Sequence, residues 1–114
     1  MSKLLQSFKY AFAGLRLAWV EEANFRIQSA CAVFVIVLGI VVNLSMFDFV
    51  LIVLVTSCVL TAEVFNTALE ELCDKFQPTH DPHVAKIKDL SAAAVLLMSA
   101  GAIIIGALIF LPYL

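Results

Sequence analysis

Four side chains pose the chemical problem: Glu63, Asn66, Glu70 and Asp74, all within "TAEVFNTALEELCDKF" (61–76). They follow directly on "FVLIVLVTSCVL" (49–60), a run with almost no polar character. At about 100° per residue the four fall on one face of a helix, with Thr67 bordering that face and Glu71 pointing away from it. From Glu63 to Asp74 the stripe runs about 16 Å at 1.5 Å per residue. A carboxylate in hydrocarbon costs about 2.5–3.5 kcal/mol on insertion scales, so an acid behind a long apolar run is a functional candidate by default. That description fits Glu63 best. Glu71 and Asp74 have the plainer alternative of lying solvated at headgroup level.

Two other segments carry polar groups to the same level. "EEANFR" puts Glu21 and Glu22 just before the next apolar stretch, and "KIKDLSAAAV" supplies Lys86, Lys88 and Asp89. Plain roles compete here too: Asp89 suits a helix N-cap, and the lysines suit topology determinants. Paired carboxylates without His or Cys partners suit a hard cation such as Mg²⁺, which takes oxygen ligands and is usually held together with phosphates. Lysines beside such a cation suit a nucleoside triphosphate. An acid deeper along the stripe could take a proton from an alcohol. Together these residue types describe phosphoryl transfer at a membrane surface. The four glycines form no phosphate-cradling loop.

The elements that position these groups follow from hydropathy. Apolar residues make up 63% of the 114 and charged ones 14%, with a mean hydropathy of +1.05. Soluble domains lie nearer 45–50% apolar and about 25% charged, and a chain this short cannot hide so much apolar surface within itself. The sequence therefore predicts an all-α integral membrane protein folded as a single domain over 1–114. Leu5, Phe8, Phe12, Leu15 and Trp19 recur at steps of three and four, which predicts an amphipathic helix over about 2–21 lying on the membrane surface. Spans of about the 20 residues a bilayer needs are predicted at about 27–47, 49–72 and 90–111. The third is rich in Ala and Gly, as expected of a helix packed closely on others. A tight link, "NLSMFD", joins the first two spans, and a polar loop over about 74–88 joins the second and third. All seven Lys and Arg precede the first span or lie in that loop. The positive-inside rule then puts the N-terminus and the 74–88 loop in the cytoplasm and the C-terminus outside.

A net charge of −2 without a basic block argues against a nucleic-acid partner. Cys31, Cys58 and Cys73, odd in number and without ligand spacing, are expected to be small core residues. No cleavable leader is expected in residues 1–26, where apolar and charged residues alternate.

"WVEEANFRIQ", "AEVFNTALEELCD" and "KIKDLSAAAVLL", in this order around three spans and a short leading helix, resemble the small prokaryotic diacylglycerol kinase and undecaprenol kinase family. The resemblance covers essentially the whole chain. Its most specific part is E-x-x-N-x-A-x-E-x-x-x-D with K-D following 14 residues after the aspartate. It implies a homotrimeric enzyme of the bacterial inner membrane, an oligomeric helix bundle that uses MgATP to phosphorylate a membrane lipid hydroxyl. By that resemblance Glu63 matches the catalytic base, and Glu22 and Glu70 the carboxylates that hold the metal on ATP. Tyr10, Asp74, Lys88 and Asp89 match nucleotide contacts, with Thr79, His80 and Asp81 in the loop that touches adenine. Asn66, Arg16, Trp19 and Ala92 fall on the side of the acceptor lipid, Asn66 orienting either Glu63 or the substrate.

Two readings from other classes remain at this point. A small oligomeric proton-coupled transporter would use Glu63 but has little use for Asp74, Lys88 and Asp89 at the rim. A structural membrane subunit would use the acids only to set packing.

Overall fold

The computed structural model describes residues 2–76, 79 and 81–114, and within them the only regular structure is helix. α1 runs Lys3–Glu21, α2 Ala23–Val41, α3 Met46–Phe76 and α4 Pro82–Phe110, closed by a short 3-10 turn at Leu111–Tyr113. Ser2 starts α1 by accepting from the Leu5 backbone N–H at 3.2 Å, an ordinary N-cap. Glu22 alone separates α1 from α2. In extended conformation (φ −116°, ψ 108°), it caps both helices with its backbone while its side chain caps neither.

The link between α2 and α3 is a Schellman turn. Asn43 takes the left-handed conformation at φ 58°. Its N–H donates to the Ile40 carbonyl at 3.1 Å and that of Leu44 to the Gly39 carbonyl at 3.0 Å. The Leu44 side chain folds back over Gly39, where an added Cβ would meet it at 2.9 Å. Ser45 then starts α3, accepting from the Asp48 N–H at 3.2 Å. The first span thus ends at Val41, earlier than the 27–47 expected from hydropathy, because residues 42–45 are spent on the turn.

The polar connection is also shorter than 74–88. α3 continues through Asp74 to Phe76, and α4 begins at Pro82. Asp81 is the reason for the early start: its carboxylate accepts from the N–H groups of His83 and Val84 at 2.8 and 3.1 Å, with Pro82 in the first helical turn. The cap is therefore Asp81. Asp89, the N-cap candidate in the sequence, lies two turns inside α4.

α3 is the central helix, packed on α4 along much of its length and on α2, while α1 touches both α2 and α3. The molecule measures 50 × 42 × 20 Å, so it is about two helix diameters thick. A layer that thin buries little. The buried apolar residues among those described are Ala18, Phe25, Ala32, Ile52 and Ile109. α2, α3 and α4 are each long and apolar enough to cross a membrane, and their outward faces stand bare. α1 likewise exposes Phe8, Phe12 and Trp19, the stripe expected to face a membrane surface. Gly101 and Gly106 of α4 are not used for close packing within the chain, since a Cβ added at either would meet nothing within 4 Å. Cys31 is exposed, not a core residue, and Cys58 and Cys73 are half-buried.

Candidate active site

The polar stripe survives folding with its gradient intact. Glu63 is 3% exposed and Asn66 9%, the buried polar side chains among the described residues. Glu70 is half-buried, and Asp74 and Glu71 are exposed. Length explains the order. A helix of 31 residues is about 46 Å long at 1.5 Å per residue, against a hydrocarbon layer of about 30 Å. Some of α3 can therefore stand clear of hydrocarbon, and the end that carries Glu70 and Asp74 is the polar one.

Burial of Glu63 comes from protein. Glu22, on the elbow between α1 and α2, and Glu70, two turns along α3, both lie within electrostatic reach of it, with the Gln28 side chain beside it. Asn66 donates its side-chain amide to Glu70 at 3.0 Å. That bond fixes which way the amide faces, and its Oδ1 is left buried without a partner, as is Oε1 of Gln28. Buried carbonyl oxygens normally have a donor, and each one lacking it asks for an explanation. Glu22 and Glu70 are thus near enough to Glu63 to act on its charge, and the two unpartnered amide oxygens lie on α2 and α3.

One turn beyond Glu70, Asp74 forms an ion pair with Lys88 across the α3–α4 hairpin. Lys88 precedes the predicted span of α4, and the hydrogen bond it donates to the Asp74 carboxylate holds its ammonium above the ordinary lysine value, with Glu70 adding to the effect. Raising a lysine pKa keeps it charged, so Lys88 is a fixed cation beside the acids.

The site residues expected from the sequence divide into those brought together and those left apart. Glu22, Glu63, Asn66 and Glu70 form the cluster, and Asp74 with Lys88 forms its rim. Asp89 is exposed on α4 one residue beyond Lys88, and Ala92 is exposed further along. Tyr10, Arg16 and Trp19 stand exposed on α1. Thr79 is exposed, Asp81 spends its carboxylate on the α4 cap, and His80 lies outside the described residues. Gln28 was missed by sequence reasoning, although an amide in the first span carries the same signal that singled out Asn66. Arg26, read only as a topology determinant, donates to the Trp19 and Val20 carbonyls at 2.6 and 3.1 Å.

Among the described residues no group of three His, Cys, Asp or Glu is arranged to hold a metal ion alone. Glu22 and Glu70 carry the carboxylate oxygens that a hard cation such as Mg²⁺ would take together with phosphate oxygens.

Residues 9–110 match the family model described as prokaryotic diacylglycerol kinase. The chain belongs to that family. A diacylglycerol kinase of Synechocystis is 38% identical over 96% of this chain, which spans 63% of that relative's length. An undecaprenol kinase of Bacillus subtilis is 33% identical over all of this chain and 93% of its own. A diacylglycerol kinase of Escherichia coli is 26% identical over 90% of this chain and 84% of its own. The family resemblance carried by the E-x-x-N-x-A-x-E-x-x-x-D motif therefore holds, and so does the architecture of a leading helix followed by three candidate membrane spans.

Proposed function

We propose that this protein is an ATP-dependent lipid kinase that transfers the γ-phosphate of MgATP to the hydroxyl of a membrane lipid, diacylglycerol or undecaprenol. The observation that carries this reading is the buried Glu63 at the inner end of a stripe whose outer end is the Asp74–Lys88 pair. An acid tucked among helices at the edge of the hydrocarbon can meet a lipid alcohol. A carboxylate and ammonium pair two to three turns further out can meet a soluble triphosphate.

In this mechanism Glu63 takes the hydroxyl proton as the lipid oxygen bonds to the γ-phosphorus. The bond from that phosphorus to the β–γ bridging oxygen breaks, leaving ADP, the phosphorylated lipid and a protonated Glu63. Mg²⁺ held by Glu22, Glu70 and phosphate oxygens would neutralise charge on the triphosphate. Lys88 contributes fixed positive charge where negative charge accumulates, and Asn66, tethered to Glu70, keeps the base and metal carboxylates in register. Tyr10, Thr79, His80, Asp81 and Asp89 are assigned to the nucleotide, and Arg16, Trp19 and Ala92 to the lipid. The N-terminus and the α3–α4 connection face the cytoplasm of a bacterial inner membrane, with the C-terminus outside, and the working unit is a homotrimer. The unfilled space around Gly101 and Gly106 supports assembly, because helices in membranes associate through such small residues.

The test is direct. Purified protein in bilayers, given labelled MgATP and either diacylglycerol or undecaprenol, is expected to yield labelled lipid with one of them. Glu63→Gln is expected to lower the rate about a hundredfold to ten-thousandfold, the range for a general base, while nucleotide binding persists. No labelled lipid with either acceptor would favour the transporter reading, for which the Asp74–Lys88 rim has no use.

A further inference from the structure

We propose that Arg26 is a positioning residue that turns Glu22 toward the site by locking the elbow between α1 and α2. The inference rests on the reading of Glu22 as a metal–nucleotide carboxylate and extends it to a residue with no contact to either ligand.

The last carbonyls of a helix lack intrahelical donors, and at the end of α1 one guanidinium nitrogen of Arg26 reaches back to two of them. Nη1 donates to the Trp19 carbonyl at 2.6 Å and the Val20 carbonyl at 3.1 Å. A cation at that end also complements the helix dipole. Between donor and acceptors lies the single non-helical residue Glu22, whose N–H donates to the Ala18 carbonyl at 2.9 Å and whose carbonyl accepts from the Arg26 N–H at 3.3 Å. Its backbone is thus held on both sides. The Glu22 side chain makes no cap hydrogen bond to α2. The carboxylate is left available, within electrostatic reach of Glu63. Arg26 therefore bears on two things at once: the backbone position from which the Glu22 side chain starts, and the angle at which α1 and its Trp19 leave the first span. Lysine could supply the charge but is a point donor without the planar fork of arginine.

The experiment uses the full chain in bilayers and four variants: Arg26→Gln, Arg26→Lys, Glu22→Gln and the double variant Arg26→Gln/Glu22→Gln. Readouts are the KM for MgATP, kcat, binding of a fluorescent ATP analogue without lipid acceptor, and quenching of Trp19, the only tryptophan, by brominated lipids. Arg26→Gln is expected to raise the KM for MgATP by roughly threefold to thirtyfold, the range of indirect couplings, and to change Trp19 quenching. In the Glu22→Gln background the same change should raise KM no further, because residues acting as a unit are non-additive. Arg26→Lys should fall between wild type and Arg26→Gln, and keeps the test available if the glutamine variant does not fold. An unchanged KM in both Arg26 variants overturns the proposal, and so do effects that multiply fully in the double variant. If Glu22→Gln alone binds the nucleotide as wild type does, the role of Glu22 fails and that of Arg26 with it. A shift in Trp19 quenching with KM unmoved would reduce Arg26 to a cap on α1, and would also overturn it.

Discussion

Asn66 separates function from packing better than any other side chain of the stripe. Its amide spends a donor on Glu70 and leaves Oδ1 buried without a partner. Removing a buried polar group that is only half satisfied can be neutral or stabilising. Asn66→Leu, of similar shape, is accordingly expected to keep or raise the thermal midpoint while lowering turnover by about tenfold or more. Thermal scans and lipid phosphorylation on the same preparation check it, and a fall in stability matched by unchanged activity would return Asn66 to a structural role. Glu70 makes the complementary case. Glu70→Gln keeps the acceptor oxygen for Asn66 but removes the charge, so it should raise the KM for MgATP with a smaller effect on lipid KM; titrating each substrate separately distinguishes the two. Much of this was legible from spacing, because four polar residues on one helical face behind an apolar run admit few explanations. Gln28 carried part of the same signal as an amide in a span, but without a row of polar partners on its own helix it gains a role only when Glu63 is found beside it.

At the scale of elements, turns decide where spans end. Hydropathy carried the first span to residue 47, but residues 42–45 are spent on reversing the chain, which Asn43 does at φ 58°. A β-branched residue there would be strained by about 1–2 kcal/mol, whereas glycine fits the left-handed cap better than asparagine. Asn43→Val is therefore expected to lower the unfolding midpoint in detergent and Asn43→Gly to leave it unchanged or raise it. Equal effects of the two would contradict the strain argument. At the other end, Asp81 begins α4 one full loop earlier than hydropathy suggested, and this early start is what brings Lys88 level with Asp74. The polarity of 74–88 said loop; capping chemistry said helix, and the cap prevailed because it satisfies backbone donors that water would otherwise have to solvate.

At the scale of the whole molecule, one copy is a slab 20 Å thick that leaves most of its apolar surface outside. Lipid can cover that surface, but the open small-residue positions on α4 suit another helix better. Gly106→Leu is expected to weaken assembly without unfolding the chain, because a side chain added there meets nothing within its own copy. Sedimentation in detergent or chemical crosslinking in bilayers reads this out, with the proposed trimer expected to give way to smaller species. An unaltered oligomer would place the interface elsewhere. The sequence by itself determined the membrane class, the three spans, the polar stripe and the family, because these depend on local periodicity and on which residue types hydrocarbon tolerates. Only the tertiary structure decided that Gln28 lies beside Glu63 with Glu22 in electrostatic range, that Asp74 meets Lys88, and that Arg26 grips the end of α1. Those pairings depend on how helices are joined and turned against one another, and no local pattern along the chain records that.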